Sequence, residues 1–367
     1  LVIKFRNIGD VLLVGPLLST LARAYPGTRV SVLVKAGREA MLEGHPHVEQ
    51  VWIYPPRKPG ENRWQYLRRE LAWLRRLRAQ RFDWVINSTE GDRGAIVGFL
   101  SGAPRRRGLV RVEGEKRWRR LLYTEPVTSR TGLRHTVVRN LDLLPPGGVK
   151  ESRDVPLRFG EADLAAVRSL LDQAGWRPHL PLVQVHPTSR WFFKCWNDAD
   201  VARVIEHLAV ARGLQVVVTS GPDTRERDRV ARILAACDAT PMDLSARLSL
   251  KETAALASLC RLFFGVDTAP MHMAAALNVP VVAIFGPSGA FDWGPWPNGW
   301  EGGATPYPQR NGIQTCGPHT VVQMDWPCVP CGQDGCEGTK RSACLEQLSA
   351  DQVIPLVDQA LEHARTR

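Results

Sequence analysis

Leu262-Phe263-Phe264-Gly265-Val266-Asp267-Thr268-Ala269-Pro270-Met271-His272 is a strand that runs straight into the start of a helix. The apolar run Leu262–Val266 reads as a strand buried on both faces. Pro270 suits the first helical position, where its missing N–H costs nothing. In folds built from such units, ligands bind beyond the carboxyl ends of the strands. The free N–H groups of this helix start could hold a diphosphate. Asp267 could accept hydrogen bonds from sugar hydroxyls, and His272 lies one turn into the helix. An ordinary helix cap with a satisfied histidine is the simpler alternative, but so many polar groups converging at one strand end favour a site.

Working outward, the same rhythm recurs on both sides. Leu182–Val185 and Leu214–Thr219 read as strands, and Asp198–Ala211, Arg225–Ala236 and Leu250–Ser258 as helices. Met271–Leu277 is a helix stopped by Pro280, and Val281–Phe285 is a strand. Nearer the start, Val2–Phe5, Val30–Val34, Val51–Tyr54 and Trp84–Asn87 read as strands, and Val11–Ala24 and Arg63–Gln80 as helices. In the last of these, Trp64, Leu67, Leu71, Leu74 and Leu77 recur at helical spacing and are expected to form a core stripe, with arginines on the other face. Alternating strands and helices predict parallel sheets covered on both faces. The Pro145-Pro146-Gly147-Gly148 break, a charged helix over Glu161–Ala174, and Pro178 and Pro181 mark the connection between two such domains. The expected division is 1–165, then 176–349, with a helix over 350–367 that could cross back to the first domain. Two doubly wound, Rossmann-like units facing across a cleft are the GT-B arrangement, although nucleotide-sugar epimerases share the pattern.

The chain has 367 residues, 44% of them hydrophobic and 23% charged, which suits two globular domains and excludes disorder. No run of about 18 apolar residues marks a membrane span. The opening Leu1-Val-Ile-Lys-Phe is too quickly interrupted by charge for a secretory signal and reads as a buried strand lacking an initiator Met, so a cytoplasmic location is expected. A net charge of +11 would suit nucleic acid, an anionic membrane surface or a phosphorylated substrate. Its excess falls in Arg63–Arg81, Arg105-Arg106-Arg107 and Lys116–Arg120.

Two further stretches carry chemistry. Arg6-Asn7-Ile8-Gly9-Asp10-Val11 follows the first strand and places the Asp10 carboxylate at a helix start, where it could act on a ligand or simply cap the helix. His186-Pro187-Thr188-Ser189-Arg190-Trp191-Phe192-Phe193-Lys194-Cys195-Trp196 supplies the Thr188 and Ser189 hydroxyls, and cations suited to phosphate. Neither a G-x-G-x-x-G nor a Walker-type loop is present, which argues against dinucleotide oxidoreductases and P-loop phosphotransferases. Cys328, Cys331, Cys336 and Cys344 gather in a Gly-rich stretch and could hold a structural zinc or iron ion, stay reduced, or form disulfides on handling. That stretch is expected to lie away from the other motifs.

Taken in order, Gly9-Asp10-Val11, Lys194-x-Trp196, the Ser220-Gly221-Pro222 turn with Glu226, and Asp267–His272 resemble glycosyltransferase family 9, the heptosyltransferases of the lipopolysaccharide core. The resemblance spans nearly the whole chain and is nearest to the heptosyltransferase III branch, through Ile3–Leu13, Met41–Gly44 and His186–Trp196. It implies an ADP-heptose donor, an inner-core heptose acceptor and inversion at the anomeric carbon. Asp10 would be the general base. Thr188 and Lys194 would meet the diphosphate and Glu226 the ribose, with Ser189 among the donor-binding residues. Leu248 would wall the adenine, Asp267 would hold the heptose, and Thr268, Ala269 and His272 would line the phosphate site. Many family members have glycine where this chain has Ala269, whose methyl limits close backbone approach. With cationic side chains neutralising the leaving ADP, no metal is expected for the chemistry. Other readings are a family 9 transferase using another nucleotide sugar, or an epimerase or hydrolase of the same architecture, which would need a second acid or base opposite Asp10. Nucleic acid is not expected as a partner, because the arginine helix commits its Trp and Leu side chains to a core stripe. The basic segments are instead expected to meet an anionic acceptor or the inner membrane leaflet, peripherally, from the cytoplasmic side.

Overall fold

The computed structural model describes residues 1–110, 114–128, 132–147 and 149–364. They form two compact units that divide between Pro156 and Leu157. No helix among the described residues is long and apolar enough to cross a membrane.

In the first unit, strands β1 (Val2–Lys4), β2 (Ser31–Lys35), β3 (Gln50–Tyr54), β4 (Trp84–Asn87), β5 (Arg105–Val110) and β6 (Glu125–Thr128) form one parallel sheet in the order β3-β2-β1-β4-β5-β6. Pairing of Ile3 with both Leu33 and Asn87 puts β1 in the middle. Helices α1 (Ile8–Leu12), α2 (Gly15–Ala24), α3 (Arg63–Arg78), α4 (Asp92–Leu100), α5 (Arg117–Leu121) and α6 (Thr136–Leu141) connect the strands. The sequence reads α1 and α2 as one helix, but Pro16 interrupts it. Its ring has no N–H to give and collides with the carbonyl one turn back.

Helix α3 turns a different face inward from the one expected. Leu77 is wholly buried and Trp73 and Leu74 are half-buried, while Leu67 and Leu71 are exposed and Trp64 is 74% exposed. Contacts with β3 set the rotation. The Trp73 ring meets the edge of Tyr54 at 5.3 Å, and the Tyr54 hydroxyl bonds Glu70. The arginine run, expected to meet an anionic partner, lies on β5, where its charges are largely engaged within the unit. Arg105 and Arg107 pair with Glu125 at 2.8 and 3.1 Å, and Arg106 Nε donates to the Leu122 carbonyl at 2.8 Å.

In the second unit, β7 (Leu182–His186), β8 (Gln215–Val218), β9 (Met242–Asp243), β10 (Leu262–Val266), β11 (Val281–Ile284), β12 (Gln314–Cys316) and β13 (His319–Val322) form a seven-stranded sheet in the order β12-β13-β11-β10-β7-β8-β9. Only β12 runs antiparallel. Its helices are α7 (Glu161–Gln173), α8 (Asp198–Glu206), α9 (Thr224–Ala235), α10 (Leu250–Leu259), α11 (Ala269–Ala276), α12 (Ala290–Trp293), α13 (Ala343–Glu346) and α14 (Ala350–His363). The segment expected to link the domains is part of this unit's core. Val167 and Leu171 of α7 are buried with Leu182 and Leu256. The apolar face of α14 stays here too, with Val353, Val357 and Leu361 buried beside Val183, Phe264 and Ile284. Residues 365–367 of the expected C-terminal segment lie outside the described residues.

Candidate active site

In the second sheet the chain passes from β7 outward through β8 and β9, then returns to place β10 on the other side of β7. This reversal is a topological switch point, where two diverging loops leave a crevice at the carboxyl ends of the strands. The loop after β7 carries Lys194 and the loop after β10 carries Asp267. Their side chains meet there, with Lys194 Nζ 2.6 Å from Asp267 Oδ2. Burial alone would raise the Asp267 carboxyl, but the Lys194 ammonium outweighs it, helped by Ser288 and His272, so the group is held below its ordinary value. The product is a buried carboxylate beside a partly exposed cation, 73 residues apart in the chain.

Next to the pair, Thr268 is the N-cap of α11 in an extended conformation, and its side chain makes no capping hydrogen bond. The amides of the first turn are therefore not taken by that hydroxyl and can meet an anion. Helix α11 begins at Ala269, so Pro270 is its second residue rather than its first; the missing N–H still falls in the turn whose amides lack carbonyl partners. His272 is buried one turn in.

On the other flank, Thr188 Oγ1 donates to Glu226 Oε2 at 2.8 Å, and the Gly221 N–H reaches the same oxygen at 3.2 Å. A Cβ on residue 221 would stand 2.7 Å from Glu226 Oε1, so any larger residue there would push the Glu226 carboxylate from this position. Ser189 is buried and its Oγ accepts the Trp191 N–H at 3.3 Å, which gives it a part in shaping the turn. Leu248 packs at the edge of the cluster holding Val217 and Leu256, just ahead of the Ser249 cap of α10. Thr188, Lys194, Glu226, Asp267, Thr268 and Ala269 thus all occupy strand-end loops or helix starts at one edge of this sheet.

In the first unit, Asp10 stands where β1 gives way to α1, at that sheet's own switch point between β1 and β4. Its Oδ2 accepts the Asn7 N–H at 3.2 Å, and Arg6 Nε lies 3.8 Å from Oδ1. The carboxylate does serve as a cap, but that hydrogen bond engages only one oxygen. Beneath it lies a residue the sequence reading passed over. Lys4 is buried and donates to the Ser88 carbonyl, Ser88 Oγ and Asn140 Oδ1, all at 3.1 Å. Burial pushes its ammonium down to about 8, and the nearby Asp10 charge opposes that shift. A lysine inside an otherwise apolar strand was the available signal.

The carboxyl ends of β2 and β3 and the start of α3 enclose a cavity of about 860 Å³. Lys35, Arg38, Arg57, Arg63 and Arg93 supply its charge and Tyr54, Trp64 and Tyr66 its aromatic walls. Arg63, Trp64 and Tyr66 belong to the basic helix picked out in the sequence, while the remaining lining residues are dispersed and gave no motif to read.

Cys328, Cys331 and Cys336 are exposed and Cys344 is buried. Burial pushes the Cys344 thiol up to about 11, with Cys336, Cys331 and Cys328 close enough to add to the effect. No three His, Cys, Asp or Glu side chains among the described residues stand in position to hold a metal ion. Contrary to expectation, this stretch is not remote from the other motifs, for Cys331 and Lys194 line one cavity.

Residues 70–303 match the family model for glycosyltransferase family 9 (heptosyltransferase). The chain is 30% identical over 316 residues to lipopolysaccharide heptosyltransferase 3 of Escherichia coli K12, covering 83% of this chain and 89% of that protein. The fold matches a family 9 glycosyltransferase from Veillonella parvula with a TM-score of 0.78 at 19% identity, covering 98% of this chain and 96% of that one. It also matches Escherichia coli ADP-heptose lipopolysaccharide heptosyltransferase II with a TM-score of 0.73 at 19% identity, covering 99% and 98%.

Proposed function

The chain belongs to glycosyltransferase family 9, the heptosyltransferases, and from that premise we propose that it moves a heptose from ADP-heptose to an inner-core heptose of lipopolysaccharide, with inversion. The observation that carries this reading is the half-buried Lys194–Asp267 pair beside the uncapped start of α11, a place made for a diphosphate with a polyol attached. In the proposed reaction Asp10 takes the proton of the acceptor hydroxyl as its oxygen bonds to the anomeric carbon. The bond from that carbon to the phosphate oxygen breaks on the opposite side, and ADP leaves with the electron pair. Lys194 and the α11 amides stabilise the growing phosphate charge. Glu226, held by Thr188 and Gly221, is aimed at the ribose hydroxyls, and Leu248 supplies an apolar edge for adenine.

The proposed acceptor site is the cationic cavity of the first unit, where arginines suit phosphate groups and aromatic rings suit sugar faces. The exposed apolar stripe of α3 supports a second part of the proposal. Trp64, Leu67 and Leu71 lie alongside Arg68 and Arg75, a combination suited to the surface of an anionic bilayer that carries a lipid-linked acceptor. A structural zinc or iron ion on the four cysteines is a separate proposal. It requires the exposed thiols to draw together, and metal analysis of the purified protein tests it.

The deciding experiment measures ADP release from ADP-heptose with and without a heptose-bearing core acceptor. Acceptor-dependent release that collapses in Asp10→Asn, with ADP still bound, supports both the transfer and the base. Release from another nucleotide sugar but not from ADP-heptose overturns the donor.

A further inference from the structure

Successive loops along the carboxyl edge of the second sheet follow the strand order β8, β7, β10, β11. They present in turn Glu226, Lys194, the Asp267–Thr268 start of α11, and the segment Gly286–Gly289. A nucleoside diphosphate sugar with its ribose at Glu226 and its phosphates at α11 has only the sugar left to place when it reaches the β11 loop. At that point the unit holds a cavity of about 370 Å³, lined among others by Phe193, Lys194, Ser288, Phe291, Trp293 and Cys331. Its size falls in the range of about 300–1,000 Å³ typical of small-molecule sites. Its walls combine aromatic faces with a cation and a hydroxyl, the mixture that binds the apolar faces of a sugar and orients its hydroxyls.

The outer wall of the cavity is the cysteine-bearing segment, and it is fastened to the inner wall on both sides. Gly332 N–H donates to the Pro287 carbonyl at 2.8 Å, and Ser342 Oγ donates to the Phe193 carbonyl at 2.6 Å. Gln323 Nε2 holds the Gly286 and Ser288 carbonyls at 2.7 and 2.8 Å. The Gly332 and Ser342 bonds tie the segment to the two loops that carry Ser288 and Lys194, and Gln323, just after β13, holds the β11 loop in place.

We propose that this cavity receives the glycosyl group of the donor, with Phe291 and Trp293 as its aromatic floor and Cys331 on its outer wall. The inference rests on the donor reading above and extends it to the residues that select the sugar. Which sugar is accepted then depends on the β11 loop and the cysteine segment, while the nucleotide and phosphates are bound elsewhere along the edge.

The test compares a nucleotide sugar with its own free nucleotide. In the full chain, Trp293→Ala is expected to weaken ADP-heptose binding at least tenfold by calorimetry while ADP affinity stays within twofold. Phe291→Leu, a milder change, should move in the same direction if Trp293→Ala does not fold. On wild-type protein, alkylation of Cys331 followed by peptide mass spectrometry should slow with ADP-heptose but not with ADP, and Cys336 serves as the internal control. Equal losses for both ligands, or no loss in either variant, overturn the cavity assignment, as does equal protection by the two ligands. Where the thiols do not react, the variants decide. If ADP-heptose does not bind the wild type, the donor reading has failed instead, and the same comparison on the nucleotide sugar that does bind, against its own free diphosphate, decides the cavity.

Discussion

Asp10 and the Lys194–Asp267 pair can each be tested by a single substitution. Asp10 keeps its shape in asparagine, so Asp10→Asn should leave α1 and ADP binding intact while turnover falls by about 10²–10⁴-fold, the range for loss of a general base. Lys194→Met would strand Asp267 in the interior. Breaking such a pair costs about 3 kcal/mol, the low end for buried pairs because Lys194 is partly exposed, and calorimetric unfolding with and without ADP should show both the loss and a weaker ligand effect. Because the Asp267 carboxyl is held below its ordinary value, its contribution to stability is complete above about pH 4 and is lost as the pH falls through its folded value. Lys4 gives the same direction of pH dependence for a different reason, because burial disfavours its charged form. Its ammonium titrates at about 8 in the folded chain, so between about pH 8 and 10.5 the unfolded chain binds more protons and stability rises with pH. The unfolding free energy of wild type minus that of Lys4→Met should therefore climb by about 3 kcal/mol across that window. A flat difference would show that Lys4 keeps its ordinary proton affinity. Asp267 and Asp10 were legible in the sequence because each follows a strand at a helix start. Lys4 carried only the weak signal of a charge in an apolar strand, and the burial that makes it notable appears only in the folded structure.

Helix α3 shows how an element can be recognised while its orientation is misread. Apolar residues recur on more than one flank of this helix, and spacing alone favours the stripe through Trp64, Leu67 and Leu71. Packing of Trp73 on Tyr54 and the bond between Glu70 and Tyr54 choose the neighbouring flank. The two readings differ in measurable stability. Leu77→Ala should cost about 2–5 kcal/mol as a core truncation, whereas Leu71→Gln should stay within about 0.5 kcal/mol as a surface change. If the two variants unfold alike, the observed rotation of α3 is wrong. Leu71→Gln should nevertheless reduce cosedimentation with anionic vesicles if this stripe meets lipid. The β5 arginines make a related point. A run of like charges in sequence suggests a free basic patch, but strand alternation and Glu125 on the adjacent β6 place Arg105 and Arg107 in ion pairs.

Across the whole molecule, the net charge of +11 predicts that any association with anionic vesicles weakens steeply between low and high salt, as the Debye length shrinks from about 10 Å at 0.1 M to about 3 Å at 1 M. Vesicle binding insensitive to salt would leave apolar insertion as its only source. The fold class, two doubly wound units, and the membership in family 9 could be read from the sequence itself. Hydrophobic periodicity and the residues at strand ends are local properties, and they survive in one dimension. The division at Pro156–Leu157, the retention of α7 and α14 in the second unit's core, and the strands β12 and β13 could not be read in this way. They depend on which apolar faces meet after the chain has turned back on itself. The same is true of the site. Sequence alone determined that Lys194 and Asp267 belong at strand ends; only the tertiary structure decided that they pair, and that the cysteine segment forms a wall beside them, because strands distant in sequence become neighbours only when the sheet is assembled.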